Sequence, residues 1–177
     1  MFWSRLAIPI LAFVALSACG SSSTAVTHKL GPTPSPINMS GDNCLAGNWT
    51  LKNQTSTLVL PSSHVPVSGL AGVSLRIAPS GLFLLNYDNS ASLNGKDGSR
   101  NVSQTLRGTL NFRLHAQSRT LDITPIGGSL IAIINDGGRI TTSTLADSGP
   151  QTYAYQCSST SLDMKGGGIT QTFVRTK

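Results

Sequence analysis

The residues that could do chemistry are few and widely spaced. The chain has three cysteines, seven aspartates, no glutamate and three histidines, His28, His64 and His115. No serine lies in the G-x-S-x-G turn that exposes a nucleophile in many hydrolases. The histidines show no metal-ligand spacing with Cys44 or Cys157. We therefore expect a protein that is not an enzyme and that holds neither a metal nor a cofactor.

The third cysteine, Cys19, stands at the end of a short export signal. One basic residue, Arg5, precedes the uncharged run 6–16, and two small residues stand directly before the cysteine. At about 1.5 Å per residue, this run covers only half of a bilayer's hydrocarbon, so residues 1–18 are predicted to be a signal peptide. The pattern resembles the lipobox of bacterial lipoproteins, which implies acylation of Cys19. An ordinary signal peptide with an incidental cysteine is the alternative.

The segment 19–43 is predicted to be a flexible tether. It is rich in serine, threonine and proline and cannot bury enough apolar surface to offset the cost of ordering. Together with the implied lipid, the tether would hold the folded part outside the cytoplasm, near the cell membrane or the outer membrane. The net charge is +6, but the basic residues are scattered. A nucleic-acid partner would need them clustered, so we expect no nucleic acid and membrane attachment through the lipid alone.

With Cys19 assigned to lipid, two cysteines remain, Cys44 and Cys157. Two thiols in an oxidising compartment most economically form one disulfide. The bond would join the start of the folded region to its last quarter, and it is worth about 5 kcal/mol in the chain-entropy model. Metal ligation by these cysteines is the rival interpretation.

Composition and patterning predict an all-β domain over residues 44–177. Only 11% of the residues are charged and 18 are glycine, and glutamate, one of the better helix formers, is absent. Hairpin turns are predicted at 79–81 and 135–138. The predicted strands are 50–60, 70–78, 82–87, 105–116, 119–124, 129–134, 139–145, 152–157, 161–164 and 169–175. We expect a single antiparallel meander closed into a barrel, because closure removes exposed edges, with a β-sandwich as the alternative.

The residues expected to face the interior are mostly medium-sized or large, which favours a filled core. They are Leu58, Leu75, Ile77, Phe83, Leu106, Leu110, Phe112, Leu121, Ile131, Ile133, Leu145, Leu162 and Phe173.

The two ends of the folded region carry a resemblance to a known family. A G-x-W motif, Gly47 to Trp49, opens the first strand, and Arg175 stands in the last one. This arrangement resembles the lipocalin-like (calycin) domains of small bacterial lipoproteins. The resemblance implies that Trp49 closes one end of a barrel, that Arg175 stacks on the indole, and that Gly47 allows a close approach of the chain.

Two function classes follow, neither of them catalytic. The first is an interaction or structural module of the cell envelope, with an envelope protein as its partner. Its contacts are expected on the two longest irregular loops, 62–72 and 88–102. The alternative is a carrier that binds an apolar small molecule, lipid or peptide inside the barrel, which requires an incompletely filled interior. The expected filled core favours the first class.

Overall fold

The computed structural model describes residues 43–145 and 149–177. The predicted signal peptide, 1–18, the predicted lipidation site Cys19 and the predicted tether up to residue 42 lie outside the described residues. The described ranges form strands and turns and no helix, so the all-β prediction is confirmed for them. Within the same ranges, no helix is long and apolar enough to cross a membrane.

Within these ranges, eleven strands belong to one hydrogen-bonded, antiparallel sheet. They are β1 (Gly47–Leu60), β2 (Ser63–Gly69), β3 (Ser74–Ile77), β4 (Leu82–Asn86), β5 (Leu93–Asp97), β6 (Arg100–Gln117), β7 (Thr120–Asp136), β8 (Arg139–Leu145), β9 (Gln151–Cys157), β10 (Ser161–Gly166) and β11 (Ile169–Thr176).

Three pairs of these strands are the halves of longer, interrupted strands. Along one edge of β1, β3 pairs with residues 47–50 and β2 with residues 54–60. Between them, Leu51 N donates a hydrogen bond to Val73 O (2.8 Å). In the same way β4 and β5 follow each other along β6, and β9 and β8 along β7. The last two strands, β10 and β11, are short and have no such extension.

The short final strands divide the sheet into a closed and an open part. At the end that carries Trp49, the pairing runs from β1 through β3, β4, β6, β7, β9, β10 and β11 back to β1, so eight strands form a ring. Beyond the reach of β10 and β11, the second half of β1 continues through β2, β5, β6 and β7 to β8. We call these two parts the ring and the open sheet.

A bulge in β1 changes which side chains face the interior. The register of β1 against β11 shifts between Leu51 and Asn53. Before the shift Trp49 and Leu51 are buried, and after it Gln54 and Leu58 are. Because side chains alternate along a strand, one extra residue moves every later side chain to the other face.

A second bulge, in β7, overturns part of the predicted core. Ile126 is an extra residue in the register of β7 against β6, so Leu121 is buried before the bulge and Leu130 and Ala132 after it. The predicted inward residues Ile131 and Leu145 are in fact 43% and 40% exposed. Ile133 is half-buried. The prediction was wrong for Ile131 and Ile133 because the inward face of β7 after the bulge carries Leu130 and Ala132. It was wrong for Leu145 because β8 is the last strand of the open sheet and all its side chains are exposed.

The two stretches expected to be the longest loops are largely strand. Residues 63–69 form β2 and residues 93–97 form β5. Pro66 and Gly95 concealed these strands, since both residue types are rare inside strands. They fit one another here, because a Cβ on Gly95 would lie 2.3 Å from the carbonyl oxygen of Pro66. The predicted strand 139–145 is confirmed as β8, whereas the predicted strands 119–124 and 129–134 are one strand, β7.

Candidate functional site

Trp49 lies at the end of the ring where β1 begins. Its side chain is 1% exposed. Indole Nε1 donates a hydrogen bond to the carbonyl oxygen of Leu45 (2.9 Å), which is also buried. A buried indole N–H needs an acceptor, so this bond fixes the segment before β1 against the tryptophan.

Arg175, the partner of Trp49 on β11, holds the same segment. Its guanidinium carbon lies 4.1 Å from the centroid of the Trp49 ring. Nη1 donates to the carbonyl oxygen of Ala46 (2.9 Å) and Nη2 to that of Cys44. Nε donates to the carbonyl oxygen of Ser159 (2.8 Å). One side chain thus combines a cation–π contact with charge-assisted hydrogen bonds to three carbonyl groups.

Gly47 is the third residue of this contact. Its φ is +142°, in the left-handed region that favours glycine, and a Cβ there would lie 2.3 Å from Nη1 of Arg175. The structure therefore brings together the three residues that the sequence singled out, Gly47, Trp49 and Arg175.

A disulfide joins Cys44 to Cys157, as the sequence predicted. The two Cα atoms are 6.0 Å apart, and the residues are separated by 113 positions in sequence. The bond ties the segment before β1 to the end of β9. Because Arg175 binds the carbonyl group of Cys44, a covalent and a non-covalent link act on the same few residues.

The ring holds a cavity of about 200 Å³, which we call the interior cavity. Its apolar lining consists of Phe83, Leu85, Leu106, Leu110, Phe112, Ile123, Leu130, Met164 and Ile169. Its polar lining consists of Gln54, Tyr87, Gln151, Tyr153 and Gln171. The expectation of a filled core was wrong, because these side chains leave the cavity between them although most of them are medium-sized or large.

Two glutamines provide a hydrogen-bonded pair of buried polar groups in the cavity. Gln54 and Gln171 are register partners on β1 and β11, and they are 6% and 9% exposed. Nε2 of Gln171 donates a hydrogen bond to Oε1 of Gln54 (2.7 Å). An amide pair joined by this one bond keeps N–H donors on Gln54 and a carbonyl acceptor on Gln171. A donor and an acceptor thus stand side by side in an apolar surrounding.

Two tyrosines extend the polar part of the lining. The Tyr153 hydroxyl donates a hydrogen bond to Oε1 of Gln151. Burial raises the pKa of Tyr153. Burial, and next the neighbouring Tyr153, raise the pKa of Tyr87 well above its usual range. Both hydroxyls are therefore neutral at physiological pH, and the described lining contains no charged side chain.

A hydrogen-bonded turn positions Tyr87. The Ser90 hydroxyl donates to the carbonyl oxygen of Tyr87 (2.8 Å), and Nη1 of Arg107 donates to the carbonyl oxygen of Ser90 (3.1 Å). The backbone N–H of Gly108 donates to the Asp88 carboxylate (2.8 Å). Side chains and backbone of β6 thereby hold the turn that follows β4, so this wall of the cavity is preformed.

Sequence reasoning missed the polar lining of the cavity. The signal was present for Gln171, which shares the inward face of β11 with Phe173 two residues later. Gln54 was harder to find, because the bulge after Leu51 breaks the alternation that starts at Trp49.

Comparisons of the chain with models of protein families, with curated proteins and with solved structures find no match.

Proposed function

We propose that the protein is a membrane-anchored lipoprotein whose lipocalin-like barrel binds a small, uncharged and mainly apolar molecule. The observation that carries this proposal is the interior cavity, with its apolar walls and its buried glutamine pair. The ring of eight strands and the contact of Arg175 with Trp49 support the barrel. The motif around Cys19 supports the anchor.

The volume of the cavity limits the size of the ligand. A cavity of about 150 Å³ lined by hydrocarbon stays dry and accepts benzene. Pockets for drug-sized ligands measure about 300–1,000 Å³. At about 200 Å³, the interior cavity suits a single substituted ring or a short branched chain, and it is too small for a whole lipid chain.

The lining defines the chemistry of the ligand. A charged group would lose its hydration without gaining an ionic partner in the described lining, at a cost of several kcal/mol. A hydroxyl or an amide can instead bond to the donor of Gln54 and the acceptor of Gln171. We therefore propose a neutral ligand with one such group, for which phenol is a suitable probe.

Thermal denaturation of the full chain with phenol and with benzene tests this function. A ligand that binds only the native state stabilises it by about 2.7 kcal/mol at a concentration a hundred times its Kd. We expect saturable stabilisation by both compounds, and a lower Kd for phenol. Leu130→Phe, which fills the cavity, should abolish the effect, whereas Leu82→Phe, at a 48% exposed position, should retain it. Equal stabilisation of both variants would contradict the proposal.

The anchor is tested separately. Cys19→Ser should leave an unprocessed, unlipidated precursor, because no thiol is available for acylation. Metabolic labelling with a fatty acid, followed by fractionation, would measure this. Normal labelling and membrane retention of the variant would contradict the lipoprotein assignment and leave the ligand site untouched.

A second function, an interaction module, is favoured by a different observation. Buried apolar side chains from the other strands form one cluster, but β8 contributes none to it. All seven of its side chains are exposed. The contacts of such a module would lie on β8. The segments 62–72 and 88–102, which the sequence analysis expects to carry them as loops, are largely strand.

A further inference from the structure

The strand β8 is a free edge of the sheet. It ends the strand order, and among the described residues it pairs with β7 only. Proteins usually protect such edges with proline, lysine or a bulge. The sequence from Arg139 to Leu145 contains no proline and no lysine, its pairing with β7 is regular, and Arg139 is its only charged residue. Such an unprotected edge is a template for another strand.

The turn before β8 determines which backbone groups lie on the free edge. Gly137 and Gly138 both have positive φ, +59° and +100°, as in the two-residue turns that close hairpins. The flanking residues, Asp136 and Arg139, then exchange both hydrogen bonds. Because hydrogen-bonded and non-hydrogen-bonded pairs alternate, the N–H and C=O groups of residues 140, 142 and 144 point away from β7.

We propose that β8 pairs antiparallel with β8 of a second copy of this chain, about a two-fold axis through Thr142. Thr142 is the middle residue of β8. In this register Thr142 faces Thr142 of the second copy, and Ile140 faces Thr144. All the outward backbone groups of both strands are then used, in about six hydrogen bonds. The inference rests on the interaction role and does not depend on the interior cavity.

Charge favours this register. The only charged residue of β8, Arg139, faces Leu145 of the second copy. The two Arg139 residues are then about 20 Å apart, at about 3.4 Å per residue, which exceeds the Debye length of about 8 Å at physiological salt. A parallel arrangement in register would instead place the two arginines side by side.

Apolar surface beside the edge also favours a second copy. Ile140 is 68% exposed, and Ile131 on the neighbouring strand is 43% exposed. Odd-numbered residues of β7 and even-numbered residues of β8 share one face of the sheet, because Ile131 is paired with Thr144 and Ile133 with Thr142. Pairing about Thr142 places Ile140 beside Thr144 of the second copy, which itself stands beside Ile131 of that copy. Each such row is an apolar strip interrupted by one threonine, and pairing removes part of it from water.

Cysteine cross-linking in the full chain tests the partner and the register together. Thr142→Cys places two thiols opposite each other on the axis, within the Cα separation that a disulfide accepts. Ser143→Cys is the matched control, because it is equally exposed on β8 but lies diagonally from its counterpart, about 7–8 Å away. Mild oxidation should give at least ten times more covalent dimer for Thr142→Cys than for Ser143→Cys. Equal yields, or no dimer from either variant, would overturn the proposal.

Sedimentation of the variant Thr142→Pro provides a second test. Its missing N–H points away from β7, so the variant should keep its fold, which the melting curve checks. Its dimer should dissociate with a Kd at least tenfold higher than that of the original chain, whereas Thr142→Val should dimerise normally. Ile140→Lys should weaken the dimer independently, by placing a charge on the apolar strip. A monomeric original chain, or a dimer insensitive to both Thr142→Pro and Ile140→Lys, would overturn the proposal even if phenol binds in the cavity.

Discussion

Arg175 and Trp49 stand opposite each other on the last and first strands, with the guanidinium carbon 4.1 Å from the centroid of the indole ring. The same guanidinium donates hydrogen bonds to the carbonyl groups of Cys44, Ala46 and Ser159. The contact therefore joins the strand pair that closes the ring to the segment carrying the disulfide.

The first prediction concerns the free energy of unfolding of variants at this contact. Trp49→Ala should lower it by about 3–5 kcal/mol, the range for deleting a buried aromatic side chain. Arg175→Ala should lower it by about 2–3 kcal/mol, through loss of the cation–π contact and of the hydrogen bonds. The double variant should lose about 0.5–3 kcal/mol less than the sum. Urea denaturation of the four chains with the disulfide intact measures this coupling, and strict additivity would contradict it.

The second prediction concerns Gly47. Gly47→Ala should destabilise the protein by about 2–4 kcal/mol, because it adds strain at positive φ to a clash with Arg175. Gly98→Ala is the control, since Gly98 also has positive φ but has no atom within 4 Å of the added Cβ. Gly98→Ala should lower the free energy of unfolding only through backbone strain, by about 1–2 kcal/mol. Equal losses in urea denaturation would show that the close approach of Arg175 to Gly47 has no energetic importance.

The third prediction uses the glutamine pair of the cavity. Gln171→Leu should cost about 1–3 kcal/mol, because it leaves the buried amide of Gln54 without its partner. Replacing both glutamines by leucine should cost less than either single replacement, since no polar group is then stranded. Urea denaturation measures the three stabilities. The double variant should also lose the preference for phenol over benzene, and a retained preference would place the polar contact elsewhere.

Features that depend on a few neighbouring residues could be predicted from the sequence, whereas features that require unbroken alternation along a whole strand could not. The hairpin at Gly137 and Gly138 and the strand β8 were predictable, because turn chemistry and alternation are local. The contacts at Trp49 and Arg175 were accessible only through the family resemblance.

The missed features have a common physical cause. The bulges after Leu51 and at Ile126 each reverse the inward face, and nothing in the local sequence fixes their position. The cavity depends on this reversal, since it brings Gln54 and Leu130 inside. Its volume is set by many side chains from distant strands, so no local pattern in the sequence predicts it.

The fourth prediction concerns acid stability at the open sheet. The Ser63 hydroxyl donates to Asp97 (2.9 Å), and Arg100 contacts Asp97 and Asp136. The hydrogen bond from Ser63, followed by that from Arg100, holds the pKa of Asp97 below the usual value of an aspartate. The unfolded chain therefore binds this proton more readily than the folded one, so the stabilisation is present above pH 3.8 and is lost as the pH falls through the lowered pKa.

Urea denaturation between about pH 3 and pH 7 measures this dependence. Asp97→Asn should reduce the slope of stability against pH at the acid end, and Ser63→Ala should reduce it partly. An unchanged slope in Asp97→Asn would assign the acid sensitivity to other carboxylates.

The most direct measurement of the proposed function uses Met164, which lines the interior cavity. The only other methionines are Met1 and Met39, so a carbon-13 methyl spectrum of the full chain contains very few signals, and Met164→Leu identifies the one in the cavity. Titration with phenol should shift the Met164 signal saturably, because the side chain of Met164 lines the interior cavity. A Met164 signal that stays in place at saturating phenol, or a shift that does not saturate, would contradict ligand binding in the interior cavity.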